Sequence, residues 1–216
     1  MVVNLQFFGG RGASFANASG TSAMDSFRNA NVKVFDYELS GMNMNLVEKT
    51  LKGVKDTLDE FGLPLSVVTS IGEMLSNKGE ASVNGLGQLG FGRKAYTSKA
   101  NEFPKSDRII DSTAYGTGTH EAGHIISNYV MRKHNSGLSN LEQSKLRGSG
   151  KWDREILKKA KKLNGGKLSA ISKYGSNFKG KAAAEVVAEG VSEYMKKGKS
   201  ASPSSKAIVK ALKSYL

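Results

Sequence analysis

Two of the chain's three histidines stand four residues apart in GTGTHEAGHIIS, residues 116–127. On an α-helix that spacing puts both on one face, one turn apart. Ile125, Ile126, Tyr129 and Val130 continue an apolar stripe beside the histidine face, and GTGT supplies a glycine break with Thr117 or Thr119 as cap. Gly123 removes a side chain where another element or a substrate would approach closely. The stretch therefore predicts a helix in mid-chain with a polar flank and a buried stripe, which is the wall of a site.

The remainder must fold around such a helix. With 216 residues, the chain can hold one domain with a real core plus a tail. Residues 9–30 are rich in Gly, Ser, Ala and Asn without a sustained period and read as a linker. NLQFF lies ahead of them as an apolar tag, which either docks on a partner or adds a strand to its own domain. Residues 1–30 are thus expected to be a flexible tail and residues 31–216 the folded domain. VKVFDYEL (32–39) alternates like a strand. NLVEKTLKGVKDTLDEFG places Leu46, Val47, Thr50, Leu51, Val54, Leu58 and Phe61 at helical spacing, with Gly62 and Pro64 closing the helix. LSVVTSI (65–71), RKAYTSKA (93–100) and DRIIDS (107–112) read as short strands, and NGLGQLGFG between the first two as a glycine-rich passage. Beyond the histidine helix, LSNLEQSKLRG, KWDREILKKAKKLNGG, KGKAAAEVVAEGVSEYMKKG and SPSSKAIVKALKSYL all carry helical spacing, the last with Ser202 as N-cap and Pro203 at the first helical position. The expected class is α+β: a small mixed sheet in the N-terminal half packed on the histidine helix, then a mainly helical C-terminal half. No apolar run approaches the roughly 20 residues that span a bilayer, and MVVNLQFFGG lacks the features of a secretory signal.

HEAGH also matches the H-E-x-x-H pattern. His120 and His124 can offer imidazole nitrogens to one zinc ion. Glu121, rotated about 100° from His120, reaches a water rather than the metal and is placed as general base. The chain has no cysteine, so thiol nucleophiles and cysteine-held zinc are excluded and any metal must rest on His, Asp or Glu. Catalytic zinc takes three protein ligands, and His134, near the helix C-terminus, is poorly placed to be one. A carboxylate from AAAEVVAEGVSEYM is the candidate. Measured from a stripe of Ala184, Val187, Ala188, Val191 and Met195, Glu185 lies at about 100° and Glu189 at about 140°. Glu193 points nearly opposite and reads as solvent-facing.

HEAGH followed by YGSNF and AEVVAEGVSEYM resembles the gluzincin metallopeptidases, in the anthrax lethal factor-like branch. The resemblance spans roughly residues 85–195. It implies a zincin-like fold, zinc as cofactor and peptide hydrolysis, with His120, His124 and Glu185 as ligands and Glu121 as base. It further implies that Glu189 orients a ligand histidine and that Tyr174 stabilises the developing oxyanion. Tyr174 precedes Glu185 by eleven residues, a wider spacing than in that family. The substrate, a protein or peptide, would add to a sheet edge, expected at Arg93–Lys99.

Charge raises a competing expectation. The net charge is +13, and residues 145–181 hold twelve Lys or Arg against only Asp153 and Glu155. That segment is either a solvated helical face or a surface for an anionic partner, nucleic acid among them. The opening NLQFFGGRGAS resembles the start of phage and prophage head-gene proteins, which implies a virion or bacterial-cytoplasmic setting and phage head components as partners of residues 1–10. Zinc endopeptidase is the leading expectation. The alternative is a non-enzymatic virion protein with a zincin scaffold and a DNA-contacting surface.

Overall fold

A computed structural model describes residues 21–74, 79–97 and 99–216. The expected tag and the first part of the linker, residues 1–20, lie outside them. In chain order the elements are α1 (Ala23–Asn29), β1 (Lys33–Val34), α2 (Asp36–Leu39), α3 (Met44–Glu60), β2 (Ser70–Glu73), β3 (Ala81–Val83), β4 (Gln88–Phe91) and α4 (Arg93–Tyr96). They are followed by α5 (Ala114–His134), α6 (Asn140–Gly148), α7 (Lys151–Leu163), α8 (Ala183–Lys197) and α9 (Pro203–Lys213). The fold is α+β, with the sheet in the N-terminal half and helices filling the C-terminal half. The sheet is mixed, in the order β1-β2-β4-β3, with β1, β2 and β4 parallel and β3 antiparallel to β4. Among the described residues no helix is long and apolar enough to cross a membrane.

Of the long helices, α3 forms as its pattern dictates, whereas on α8 Ala184 and Met195 of the expected stripe are only half-buried. The seven apolar-stripe residues expected on α3 are all buried, and Gly62, at φ +65°, follows its C-cap Phe61. α5 opens earlier than expected. Thr113 is the N-cap, its side chain accepting from the Gly116 N–H, so GTGT lies inside the helix. The reason is contact between backbones. A Cβ on Gly118 would fall 2.0 Å from the Thr50 carbonyl oxygen, and one on Gly53 would fall 2.2 Å from that of Tyr115. α3 and α5 therefore touch through glycine faces. Gly123 repeats the device toward α8, where a Cβ would lie 2.8 Å from the Ala188 Cα.

Several expected strands take other forms. In VKVFDYEL the ladder runs only through Lys33–Val34 before the chain turns into α2. That turn brings the Glu38 carboxylate back to accept the Glu73 N–H at 2.9 Å. LSVVTSI divides between a 3₁₀ turn at Leu65–Val67 and β2. RKAYTSKA is no sheet edge. It begins as α4, because Arg93 forks onto Glu73 (2.9 and 2.7 Å) while Tyr96 is fully buried against Thr50, 2.7 Å away. DRIIDS is irregular, and the glycine-rich NGLGQLGFG supplies β4. Of the two edge strands, β1 and β3, it is β3 that packs beside α5. At the N-terminus, the linker expected to reach residue 30 gives way to α1, which buries Met24 and Phe27. Glu193 is also not solvent-facing. α9 covers that side of α8, leaving Glu193 4% exposed, where it accepts from Lys197 (2.7 Å), Ser202 (2.6 Å) and Ser205.

These contacts set the expected response of stability to substitution. Gly118→Ala is expected to destabilise the fold by about 1–3 kcal/mol in urea unfolding, since overpacking against a backbone outweighs the helix propensity gained. Gly148→Ala, with nothing within 4 Å, is expected to be neutral or slightly stabilising. Burial works against the Glu193 carboxylate, but its hydrogen bonds from Lys197, Ser202 and Ser205 outweigh that and lower its pKa. Its contribution is therefore present above the ordinary carboxylate value of about 4.3 and lost as pH falls below it. The difference in stability between wild type and Glu193→Gln is expected to shrink on acidification.

Candidate metal and catalytic site

α5 and α8, held together at Gly123, carry the site. His120 and His124 lie one turn apart on α5, with ring centroids 5.0 Å apart. Glu185, in the first turn of α8, brings one carboxylate oxygen 3.2 Å from His120 Nε2 and 3.4 Å from His124 Nε2. One donor atom from each of the three residues falls within 4.8 Å of the others. Glu185 and Glu189 both lay within reach in the sequence, and the structure gives them different places. Glu189, one turn further along α8 and 1% exposed, receives His120 Nδ1 at 2.9 Å. Its second oxygen accepts the Ile110 N–H at 2.9 Å, so the irregular DRIIDS segment fixes it. A carboxylate can only accept, so Nδ1 carries a proton toward Glu189, and Nε2, which faces Glu185, is the nitrogen that would lose its proton to take a metal.

The local electrostatics favour a cation. Burial opposes charge on His120, yet hydrogen bonds to Glu185 and Glu189 outweigh it and hold the imidazole up at about 10. For Glu185, burial alone would raise the carboxyl, but His120 and His124 bring it well below the usual range. The field that stabilises an imidazolium here is one that a divalent cation would also feel. Two imidazoles and a carboxylate, one imidazole anchored from behind, form a donor set that fits such an ion.

The other two expected residues flank this triad. Glu121 lines the same cleft as the ligand residues, beside β3. It is 7% exposed, burial raises its pKa, and the Val83 backbone hydrogen-bonds to it. Tyr174 lies in a 3₁₀ turn (Tyr174–Ser176) whose position is set by two contacts. Its own N–H donates to the Arg108 carbonyl at 2.8 Å, and Gly175 lies against Glu189, where a Cβ would be 2.9 Å away. The wider sequence spacing thus does not separate Tyr174 from the centre. Its ring is 6.1 Å from that of His120, and its hydroxyl hydrogen-bonds to Glu185. Burial and that carboxylate push the phenol up to about 12, so it stays a donor.

These groups open on a cavity of about 410 Å³ whose wall includes β3, Ser127, Asn128 and residues of α6 and α7. Asp153 of α7, absent from the sequence-level set of candidates, faces this cavity. It is 4% exposed, accepts from Ser127 at 2.7 Å, and is raised by burial. Its signal was present in KWDREILKKA, where it falls on the face of Trp152, Ile156, Leu157 and Ala160, an acidic residue on an apolar stripe. His134 packs instead with Trp152 and Tyr215, far along α5 from the triad.

No family model, curated protein or solved structure matches the chain. The geometry must carry the functional reading. If Glu189 orients His120, Glu189→Gln is expected to retain the fold by circular dichroism and weaken zinc binding about 10–100-fold. Unchanged affinity in a competitive chelator titration would contradict that role.

Proposed function

We propose that this chain is a zinc-dependent endopeptidase of the gluzincin kind. The observation that carries the reading is the convergence of His120, His124 and Glu185 beside a buried Glu121 whose hydrogen bond comes from the Val83 backbone and not from any of the three. His120, His124 and Glu185 would hold the metal, and the two-nitrogen, one-oxygen donor set without sulfur suits zinc. When bound, zinc polarises the scissile carbonyl and lowers the pKa of water.

The remaining work falls to the chain's own groups. Among the described residues no strand pairs with the outer edge of β3 along the cleft, and an extended substrate backbone can lie along it beside the Val83 group that holds Glu121. Glu121 takes a proton from the attacking water as the water oxygen bonds to the carbonyl carbon. When the C–N bond breaks, Glu121 returns that proton to the leaving amine. Burial makes its carboxylate a stronger base than an exposed glutamate, and the Val83 contact fixes its direction. Tyr174, still protonated at neutral pH, donates to the oxyanion as the carbonyl becomes tetrahedral. Glu189 keeps His120 in one tautomer throughout.

A non-enzymatic virion protein with a DNA-contacting surface is the alternative. The buried, cleft-facing Glu121 favours the enzyme, because a purely structural zinc site has no use for it. The resemblance of residues 1–10 to phage head-gene products supports action in a virion or in the bacterial cytoplasm, with that tag contacting a head component. Glu121→Gln is expected to keep one zinc per chain while hydrolysis of an unfolded protein substrate falls about 10²–10⁴-fold. Full proteolysis by that variant would sink the mechanism, and salt-sensitive DNA binding without any cleavage by the wild type would favour the alternative.

A further inference from the structure

Two cationic side chains line the cleft together with the three candidate ligands. Arg147, in the last turn of α6, and Lys181, just ahead of α8, both line the cavity. Neither has a carboxylate partner among the described residues. Arg147 is not a loose surface side chain. Its guanidinium lies flat on the turn that follows β3, where a Cβ on Gly85 would be 2.5 Å from Arg147 Cζ and Nε. Arg132 of α5 ties the same turn down by donating to the Gly85 carbonyl at 3.2 Å. Arg147 therefore bridges from α6 to the end of β3, and a peptide laid along that edge strand would run past it. Lys181 stands one turn before Glu185, on the side of the ligands.

The carboxylates facing the same cavity do not cancel these charges. Glu185 is engaged by the two histidines, Glu121 is buried against Val83, and Asp153 is tied to Ser127. What the cleft presents to an incoming chain is Arg147 and Lys181. Resting on the peptidase reading, we propose that the cleft selects peptides with acidic side chains flanking the scissile bond, recognised by Arg147 at the end of β3 and Lys181 beside α8. A nucleic acid fits this cavity less well. Its charge recurs at every nucleotide and would have to pass Glu121, Glu185 and Asp153, whereas a peptide backbone is neutral and brings its charge only at the side chains.

The test uses three otherwise identical fluorescent peptides carrying Glu, Ala or Lys on both sides of the scissile bond. Binding is measured on the full-length, zinc-loaded Glu121→Gln chain and cleavage on the wild type. The Glu peptide is expected to bind about tenfold more tightly than the Lys peptide at low salt, the effect of two partly screened charge pairs. The preference should appear in KM rather than kcat and shrink as salt rises. The double variant R147E/K181E should invert it. Equal binding of all three peptides, or cleavage of all three with equal kcat/KM, would overturn the inference while leaving the peptidase reading standing. A single-stranded oligonucleotide that displaces the Glu peptide at a lower concentration than unlabelled Glu peptide would overturn it in favour of nucleic acid. Charge-selective binding with no cleavage by the wild type would support the acidic ligand class and remove the hydrolysis.

Discussion

The close approach of α5 to its two neighbours sets the position of everything functional. Gly118 lets α3 lie against α5 at the Thr50 carbonyl, and Gly123 lets α8 lie against it at Ala188. With ordinary side chains at those positions the helix axes would stand further apart. Packing distances between helices depend on the residues at the contact, over roughly 8–10 Å. The carboxylates of α8 are short relative to such a change. At the observed separation Glu185 reaches both Nε2 atoms and Glu189 reaches the far nitrogen of His120. One glycine inside the H-E-x-x-H helix thus helps set the separation at which the donor set meets.

The pocket also concentrates charge at a cost. Glu121, Glu189 and Asp153 are nearly buried, and Glu185 is part-buried beside them. Removing carboxylates from water costs several kcal/mol each unless partners offset it. Protein partners are supplied for Glu189 by His120 and Ile110 and for Asp153 by Ser127. Without a metal, His120 held charged to about 10 and the ion pairs to Glu185 offset part of the remainder. A divalent cation offsets more, which gives the site a physical reason to bind one. Glu121 is raised by burial, has no cationic hydrogen-bond partner and lines the cleft beside the three candidate ligands, the condition expected of a general base.

Much of this was legible in the sequence because it rests on local periodicity. The helices of the C-terminal half follow from apolar spacing and from the Ser202–Pro203 cap. The histidine helix and the flank position of Glu185 follow from the same rule. What was not legible depends on neighbours distant in sequence. The Arg93 segment has strand-like residues, but the Glu73 carboxylate and the Thr50 hydroxyl fix it as a helical turn. β4 hides among glycines, which are there because other backbone and Met74 pack closely on Gly90 and Gly92. Glu193 looked exposed from α8 alone, and only the packing of α9 encloses it. The roles of Glu185 and Glu189 were separable from sequence only through resemblance, whereas the structure separates them by which nitrogen of His120 each one meets.

The central claim is that one zinc ion rests on His120, His124 and Glu185 with the cleft side open. Zinc K-edge X-ray absorption on the full chain tests it directly. The expected spectrum shows a four- to five-coordinate site at about 2.0–2.1 Å with nitrogen and oxygen donors, two imidazole multiple-scattering signatures and no sulfur. Replacing His124 with Ala should remove one imidazole signature or the metal altogether. A chain purified without stoichiometric zinc after zinc loading, or a spectrum unchanged by loss of His124, would contradict the claim.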